Sequence, residues 1–269
     1  MYRGRTFNRS RTNLCGDFMD GEVYPVFQPP GKRRSKCRPT RAIQQKLNQR
    51  NAAKRLVRDI RMNFGEEDIF LHLTCRPGEE PESLEEAQRM VRNFLRRLKR
   101  LYKRQGVTLK YIYCIERGEK NGRFHCHTVL TGGVDRDAIE KAWGKGYANS
   151  ERLQVEEDGL NALARYMVKG RIAYKTWVGS RNLTHPEPVV RDNAFTMDDV
   201  EEMREAIEGR NAHRHFEALY PGFELIDAGC TQNEVNRGWY IWFEMRRKRK
   251  PAGPKNERNR RRGGGRGVS

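Results

Sequence analysis

The stretch Tyr111-Ile-Tyr-Cys-Ile-Glu-Arg-Gly-Glu-Lys-Asn-Gly-Arg-Phe-His-Cys-His-Thr-Val-Leu130 decides how the chain is expected to fold. Its first part, 111–116, is rich in Tyr and Ile, and residues 123–130 alternate between two sets of side chains, as strands do. Between them, the Asn-Gly pair at 121–122 is typical of a two-residue turn. The sequence therefore predicts a β-hairpin here.

A carboxylate and two imidazoles are expected on one face of this hairpin. Alternate side chains of a strand lie on opposite faces, so His125 and His127 point the same way. If residues 120–121 form the loop, Glu116 lies opposite His125, and if residues 121–122 form it, Glu116 lies opposite His127. A three-residue loop would turn Glu116 to the other face.

Two neutral imidazoles and one carboxylate can hold a divalent metal and leave coordination positions open for a substrate. A His-X-His pair also arises by chance on solvent-facing strands, and alone it is a weak sign of a metal site. The alignment of Glu116 with His125 and His127 favours the metal site, because three ligands then converge within one hairpin.

Charge is unevenly distributed along the 269 residues, whose formal net charge is +19. Residues 1–41 carry ten Lys and Arg against three acids, and residues 246–269 carry eleven against one, so the middle is nearly neutral. Basic ends suit a polyanion, because each phosphate neutralised releases counterions. We expect nucleic acid as the partner; tails that only aid solubility are the alternative. The candidate DNA-binding residues are Lys54, Arg55, Arg58, Arg123, Lys175, Arg246, Arg247, Lys248 and Arg249.

The predicted elements follow the order strand, helix, strand, strand, helix, strand from residue 68 to residue 155. This order is that of an antiparallel split βαβ, or ferredoxin-like, sheet. We therefore expect an α+β fold with helices on one face of the sheet, the other face open for a site, and basic disordered arms at both ends. A basic helix at 41–63 precedes the sheet.

Four parts are expected along the chain. They are a basic, largely irregular N-terminal arm at 1–40, a core at 41–185, a C-terminal helix plus β-hairpin at 186–247 packed on the core, and a basic Gly/Arg-rich tail at 248–269. The second strand of the C-terminal hairpin is aromatic, and its rings could stack bases. We favour the simpler interpretation, that the hairpin packs on the core.

A third group of candidate residues lies in the helix predicted at 160–169. Tyr166 and Lys169 are three residues apart and share one helix face. A tyrosine beside a metal and a lysine can attack a phosphodiester, with the lysine offsetting the developing charge. A Tyr-X-X-Lys pair is usually structural, so alone it carries little weight.

Together, three segments resemble motifs one, two and three of the HUH endonucleases, the rolling-circle replication initiators of plasmids, small phages and single-stranded DNA viruses. They are Leu71-His-Leu-Thr-Cys75, Glu116 with His125-Cys-His127, and Tyr166-Met-Val-Lys169. The chain looks most like the replication-associated proteins similar to the filamentous-phage gene II product. The resemblance spans roughly residues 41–247.

The resemblance implies a role for each matched residue. His125 and His127 would bind Mg or Mn, with Glu116 as third ligand. Tyr166 would be the nucleophile that forms a 5′-phosphotyrosine link and frees a 3′-hydroxyl, and Lys169 would be the motif-three lysine.

The resemblance also implies a rolling-circle initiator that nicks single-stranded DNA at an origin hairpin, in the cytoplasm of a bacterial host, beside a host helicase and polymerase. Tyr174 is a second nucleophile, a substitute or a core residue, and its apolar neighbours favour the core. A relaxase or a single-strand transposase shares this chemistry, and a non-enzymatic nucleic-acid-binding protein is the remaining alternative. No sequence run is apolar enough to span a membrane, and the cysteine pattern suggests a reducing compartment.

Overall fold

The computed structural model describes residues 5–28, 41–118, 122–154, 160–169, 177–232 and 237–248. These residues form two five-stranded antiparallel sheets and six helices, in agreement with the expected α+β class. In chain order the elements are β1 (Arg5–Cys15), β2 (Phe18–Gln28), α1 (Arg41–Asn63), β3 (Ile69–Thr74), α2 (Leu84–Arg104), β4 (Tyr111–Arg117), β5 (Phe124–Leu130), α3 (Arg136–Lys141), β6 (Ala148–Arg152), α4 (Asn161–Lys169), β7 (Val178–Gly179), β8 (Val189–Asp192), α5 (Met197–Glu208), α6 (Ala212–Leu219), β9 (Phe223–Gln232) and β10 (Trp239–Arg247).

The first sheet contains the predicted hairpin and has the strand order β6-β3-β5-β4-β7. Strand β5 lies between β3 and β4 and is antiparallel to both. The chain therefore leaves β3, passes through α2, and returns as β4 two positions further along the sheet. This arrangement brings the histidine strand β5 directly against β3.

Helix α2 covers one face of this sheet. Ser83 caps its first turn by accepting a hydrogen bond of 3.2 Å from the backbone N–H of Glu86, as the sequence predicts. Phe94 and Leu98 of α2 are fully buried and pack in one cluster with Leu71 of β3. Burial of these apolar side chains stabilises the layer.

The other face of the sheet is also covered by helices, so the expectation of helices on one face only is wrong. Leu56 of α1 and Met167 of α4 pack against Ile112 of β4 and Val129 of β5. These two strand residues alternate with the residues that face α2, so the face with the histidines is the face that α1 and α4 cover. The candidate site thus lies beside α4.

The second sheet has the order β8-β1-β2-β10-β9 and corrects the prediction of an irregular N-terminal arm. Residues 5–28 form the hairpin β1–β2, and β2 pairs with β10. The hairpin buries polar side chains, which hides it from any search for apolar alternation. Asn8 donates to the carbonyl of Thr196 at 3.1 Å, and Asn13 donates to Asp20 at 3.1 Å. Residues 29–40 and 249–269, also expected to be disordered, lie outside the described residues.

The C-terminal hairpin β9–β10 forms as predicted and packs against α5 and α6. Phe243 and Ile241 are buried in this cluster, where the Phe243 ring contacts Phe216 with centroids 5.0 Å apart. The ring of Trp239 lies against the guanidinium of Arg204, at 5.4 Å. The aromatic strand is thus used largely in packing, as we favoured.

Helix α1 connects the two sheets through its two sides. Its apolar side joins the core of the first sheet, whereas Arg58 on its other side contacts Asp20 of β2 at 2.5 Å. Lys54 pairs with Glu22 of β2, and Arg61 contacts Glu244 of β10 at 3.1 Å. The boundaries at 185 and 247 stay a prediction, but the second sheet uses strands from both ends of the chain.

The described helices include none that is long and apolar enough to cross a bilayer. Cys75, Cys114 and Cys126 are buried free thiols, as expected for small apolar side chains inside strands.

Candidate functional site

The hairpin register brings the predicted ligands onto one face. Glu116 of β4 pairs with His125 of β5, and Cys114 pairs with His127. This is the register expected for a loop at residues 120–121, although residues 119–121 themselves lie outside the described ranges. Because Glu116, His125 and His127 have the same parity, their side chains share the face that carries α4.

Glu116, His127 and Tyr166 lie close together. The Oε1 atom of Glu116 is 2.7 Å from Nε2 of His127, and the phenol oxygen of Tyr166 is 3.5 Å from the same nitrogen. The His127 side chain is 1% exposed, whereas Tyr166 is 46% exposed. A buried imidazole therefore connects a carboxylate to a phenol that solvent can reach.

A third histidine, missed at the sequence level, completes the group. His72 of β3 pairs with His127 across the sheet, and its ring stacks on His127 with centroids 4.7 Å apart. The Nε2 atom of His72 is 3.3 Å from Nδ1 of His125. The parity of His72 between buried Leu71 and Leu73, combined with the strand order, was the signal that could have placed it here.

Burial and charge set the protonation states of the site. Burial lowers the pKa of His72 below its usual value, and the neighbouring imidazoles lower it further. Burial also lowers the pKa of His125, against the opposing effect of Glu116. Both rings are therefore neutral near pH 7, which is the form that binds metals. Burial, then the charge of Glu116, raises the pKa of Tyr166, so its phenol is protonated at that pH.

The donor atoms fit a divalent metal by their chemistry, since imidazole nitrogen and carboxylate oxygen are its common protein ligands. In the structure, however, the donors contact one another: Glu116 with His127, and His72 with His125. Among the described residues, no three His, Cys, Asp or Glu side chains already surround one point that an ion would occupy. Holding an ion would require these side chains to rotate away from their present partners.

Three predicted residues cannot be placed in the site. Lys169 is the last residue of α4, one turn beyond Tyr166, but its side chain is outside the described part of the structure. Tyr174 and Lys175 fall within 170–176, also outside it. The role of each stays a prediction.

The candidate DNA-binding residues near the two sheets face carboxylates of the protein itself. Lys54 and Arg58 pair with Glu22 and Asp20 and tie α1 to the second sheet, so they are not the free charges that we expected. Arg55 is different, because its side chain is 66% exposed and only 3.7 Å from Asp59 at the nearest approach.

The remaining candidates also have acidic partners. Arg123, at the start of β5, bonds to Glu80 with its Nε atom at 3.0 Å. At the end of β10, acidic side chains contact the basic residues as follows: Arg246 with Glu224 at 2.7 Å, Arg247 with Asp17 at 3.6 Å, and Lys248 with Glu217 at 2.6 Å. Arg249 lies beyond the described residues. DNA contact by these residues stays a prediction.

The first sheet with its histidine face is the part of the chain that a known family matches. Residues 68–171 match the model of the replication-associated protein family of ORF2 and the gene II protein. The match runs from β3 to just beyond α4 and includes His72, Glu116, His125, His127 and Tyr166. Searches of curated proteins and of solved structures gave no match. The second sheet thus lies outside the segment that the family model matches.

Proposed function

We propose that this protein is a rolling-circle replication initiator of the HUH type, which nicks and rejoins single-stranded DNA through a tyrosine. One observation supports this more than any other: Tyr166 lies 3.5 Å from a buried imidazole that is itself bonded to a carboxylate. The match of residues 68–171 to a replication-associated family supports the same proposal. We further propose that β3 to β6, with α2 and α3, form a split βαβ core, because β5 separates β3 from β4.

Tyr166 would act as the nucleophile. Its phenol oxygen forms a bond to the phosphorus of the scissile phosphate, and the bond from phosphorus to the 3′ oxygen breaks. The phenol loses its proton and the 3′ oxygen gains one, so the products are a 5′-phosphotyrosine and a 3′-hydroxyl. Because the bond energy is kept in the new phosphodiester, the reverse reaction rejoins DNA without another energy source.

The histidine face would prepare the phosphate for this attack. Glu116, His125 and His127 would hold a Mg or Mn ion, with His72 as a further donor or as the residue that orients His125. When bound, such an ion polarises the phosphate and offsets the charge that develops on its oxygens. Stacking of His72 on His127 fixes the plane of the buried ring, so the donor atoms are oriented before DNA binds.

The test is a covalent adduct. Wild type, Tyr166→Phe and the control Tyr147→Phe are incubated with Mn and a pool of labelled single-stranded hairpins, then denatured. Tyr147 is 76% exposed and lies outside the histidine group, so its variant controls for loss of a surface phenol. We expect adducts in wild type and in Tyr147→Phe, and none in Tyr166→Phe.

Two outcomes would contradict this proposal. An adduct that persists in Tyr166→Phe would move the nucleophile elsewhere, most simply to Tyr174. DNA binding without any adduct or cleavage in wild type would favour a non-enzymatic nucleic-acid-binding protein. A relaxase or a single-strand transposase would also form the adduct; the DNA that is joined, whether replication origin, transfer origin or element end, distinguishes these enzymes from an initiator.

A further inference from the structure

Helix α2 carries an unusual concentration of positive charge on the face of the sheet opposite to the histidines. Residues 89–104 include eight Lys and Arg and no Asp or Glu. The apolar side of the helix, with Val91, Phe94 and Leu98, is buried against the sheet. The basic side chains therefore lie on the outer side of the helix, where they are exposed to solvent.

One row of these charges lines a groove. Arg92, Arg96, Lys99 and Lys103 follow the spacing i, i+4, i+7 and i+11, which places them along one side of a helix. The groove beside them has a volume of about 950 Å³ and is closed on its other side by the segment from Ser180 to Asn182, which adds Arg181. The described residues that line this groove include no Asp or Glu.

A second row lines a groove on the other side of α2. Arg97, Arg100 and Arg104 are joined there by Lys141 of α3, around a space of about 900 Å³. Arg97 is held in place because its guanidinium donates to the carbonyl of Ala142 at 2.7 Å. Acidic residues do not occur among the described residues around this groove either.

The contrast with the other cations of the protein is informative. The described basic residues on α1 and on β10 that we considered for DNA binding have carboxylate partners. By contrast, the described ion pairs involve neither Arg96 nor Lys99 nor Lys103. Like charges four residues apart destabilise a helix, so this arrangement costs stability unless an anion is bound.

We infer that α2 and its two grooves bind the phosphate backbone of duplex DNA that flanks the cleaved single strand. Residues 89–104 extend over roughly 22 Å of helix, which is a length that spans several phosphates. The aromatic residues in the first groove are Tyr102, which is buried, and Tyr111, which is partly buried, so the groove has charge without an open stacking platform. Single-strand sites usually combine the two, and this difference favours a duplex.

The inference rests on the proposed function only for the choice of DNA as the anion. Because α2 and Tyr166 lie on opposite faces of the first sheet, one DNA molecule would have to pass around the edge of that sheet to reach both. The cut strand and the flanking duplex would then be held at separate places, so the two contacts can be tested separately.

The experiment compares two variants of the full chain with equal net charge. The test variant is R92Q/R96Q/K99Q/K103Q, and the control variant is R152Q/R191Q/R210Q/R214Q, in which four exposed charges are removed elsewhere. Affinity for a ~20-base-pair duplex and for an unstructured single strand is measured by fluorescence anisotropy between ~50 and ~300 mM salt. Phosphatidylserine vesicles serve as a second polyanion.

We expect the test variant to bind the duplex about tenfold or more weakly than the control, with a salt dependence reduced by about three in log–log slope. Its adduct formation on a short single strand should be unchanged. Equal duplex binding by both variants would overturn the inference, and so would a loss that appears only with single strands or with vesicles. Absence of adducts in wild type would refute the nickase but leave the duplex result valid.

Discussion

Replacement of His72 by Ala tests whether this histidine belongs to the functional group. His72 contacts both predicted ligands of β5: its Nε2 atom is 3.3 Å from His125, and its ring stacks on His127. The substitution His72→Ala would remove both contacts and leave the two rings free to rotate. The main effect should therefore fall on metal affinity.

The expected size depends on which role His72 has. Loss of a residue that orients metal ligands typically weakens metal binding by about 10- to 100-fold, or roughly 1.4 to 2.7 kcal/mol. Loss of a direct ligand would cost more than this. A His72→Gln variant separates the two roles, because glutamine can still donate a hydrogen bond to His125 but is a poor ligand beside imidazole.

The assay is binding of Mn, followed by electron paramagnetic resonance in the Tyr166→Phe background, so that no DNA chemistry interferes. His213, an exposed histidine of α6, provides the matched control as His213→Ala. We expect normal Mn affinity in the control, a 10- to 100-fold loss in His72→Ala, and a smaller loss in His72→Gln. If His72→Ala binds Mn as tightly as wild type while His125→Ala does not, His72 has no part in the site.

Two further predictions concern the ion pairs between α1 and the second sheet. Asp20→Ala leaves Arg58, whose side chain is only 13% exposed, without its partner, and should lower the free energy of unfolding by about 2–4 kcal/mol in urea titrations; Asp17→Ala, at a 76% exposed carboxylate, should cost less than about 0.5 kcal/mol. Burial tends to raise the pKa of Glu22, but Lys54 outweighs it and the pKa is lowered, so the pair stabilises the fold above the unfolded pKa of about 4.5 and less as pH falls through the folded value. Glu22→Gln should therefore be less stable than wild type at pH 7, with the difference shrinking below about pH 4.5; a pH-independent difference would contradict this.

Local patterns predicted the hairpin β4–β5 and its face of ligands, because alternation and an Asn-Gly turn are short-range properties of the chain. The hairpin β1–β2 could not be found in this way. Its inward side chains include Asn8 and Asn13, and Asn8 is satisfied by a carbonyl near residue 196, almost the whole chain away. A buried polar face becomes readable only when its distant partners are known.

The candidate site shows the same division. Glu116 and the two histidines of β5 come from adjacent strands joined by a short loop, so parity alone could align them. His72 comes from β3, and its position depends on β3 pairing with β5 across an intervening helix and strand. The contact between Tyr166 and His127 depends on how α4 packs, which the helical spacing of Tyr166 and Lys169 does not specify.

The positive charges of this protein divide into those that hold the fold and those that have no acidic partner. Net charge along the sequence pointed to the two ends, yet Arg58 and Arg246 near those ends are used in ion pairs with Asp20 and Glu224. The middle of the chain is nearly neutral only as a sum, since its acids lie mostly away from the outer side of α2. A bound polyanion responds to local charge within about 10 Å rather than to the sum over a segment. The outer side of α2 is therefore a better candidate for a DNA-binding surface than Lys54 or Arg58.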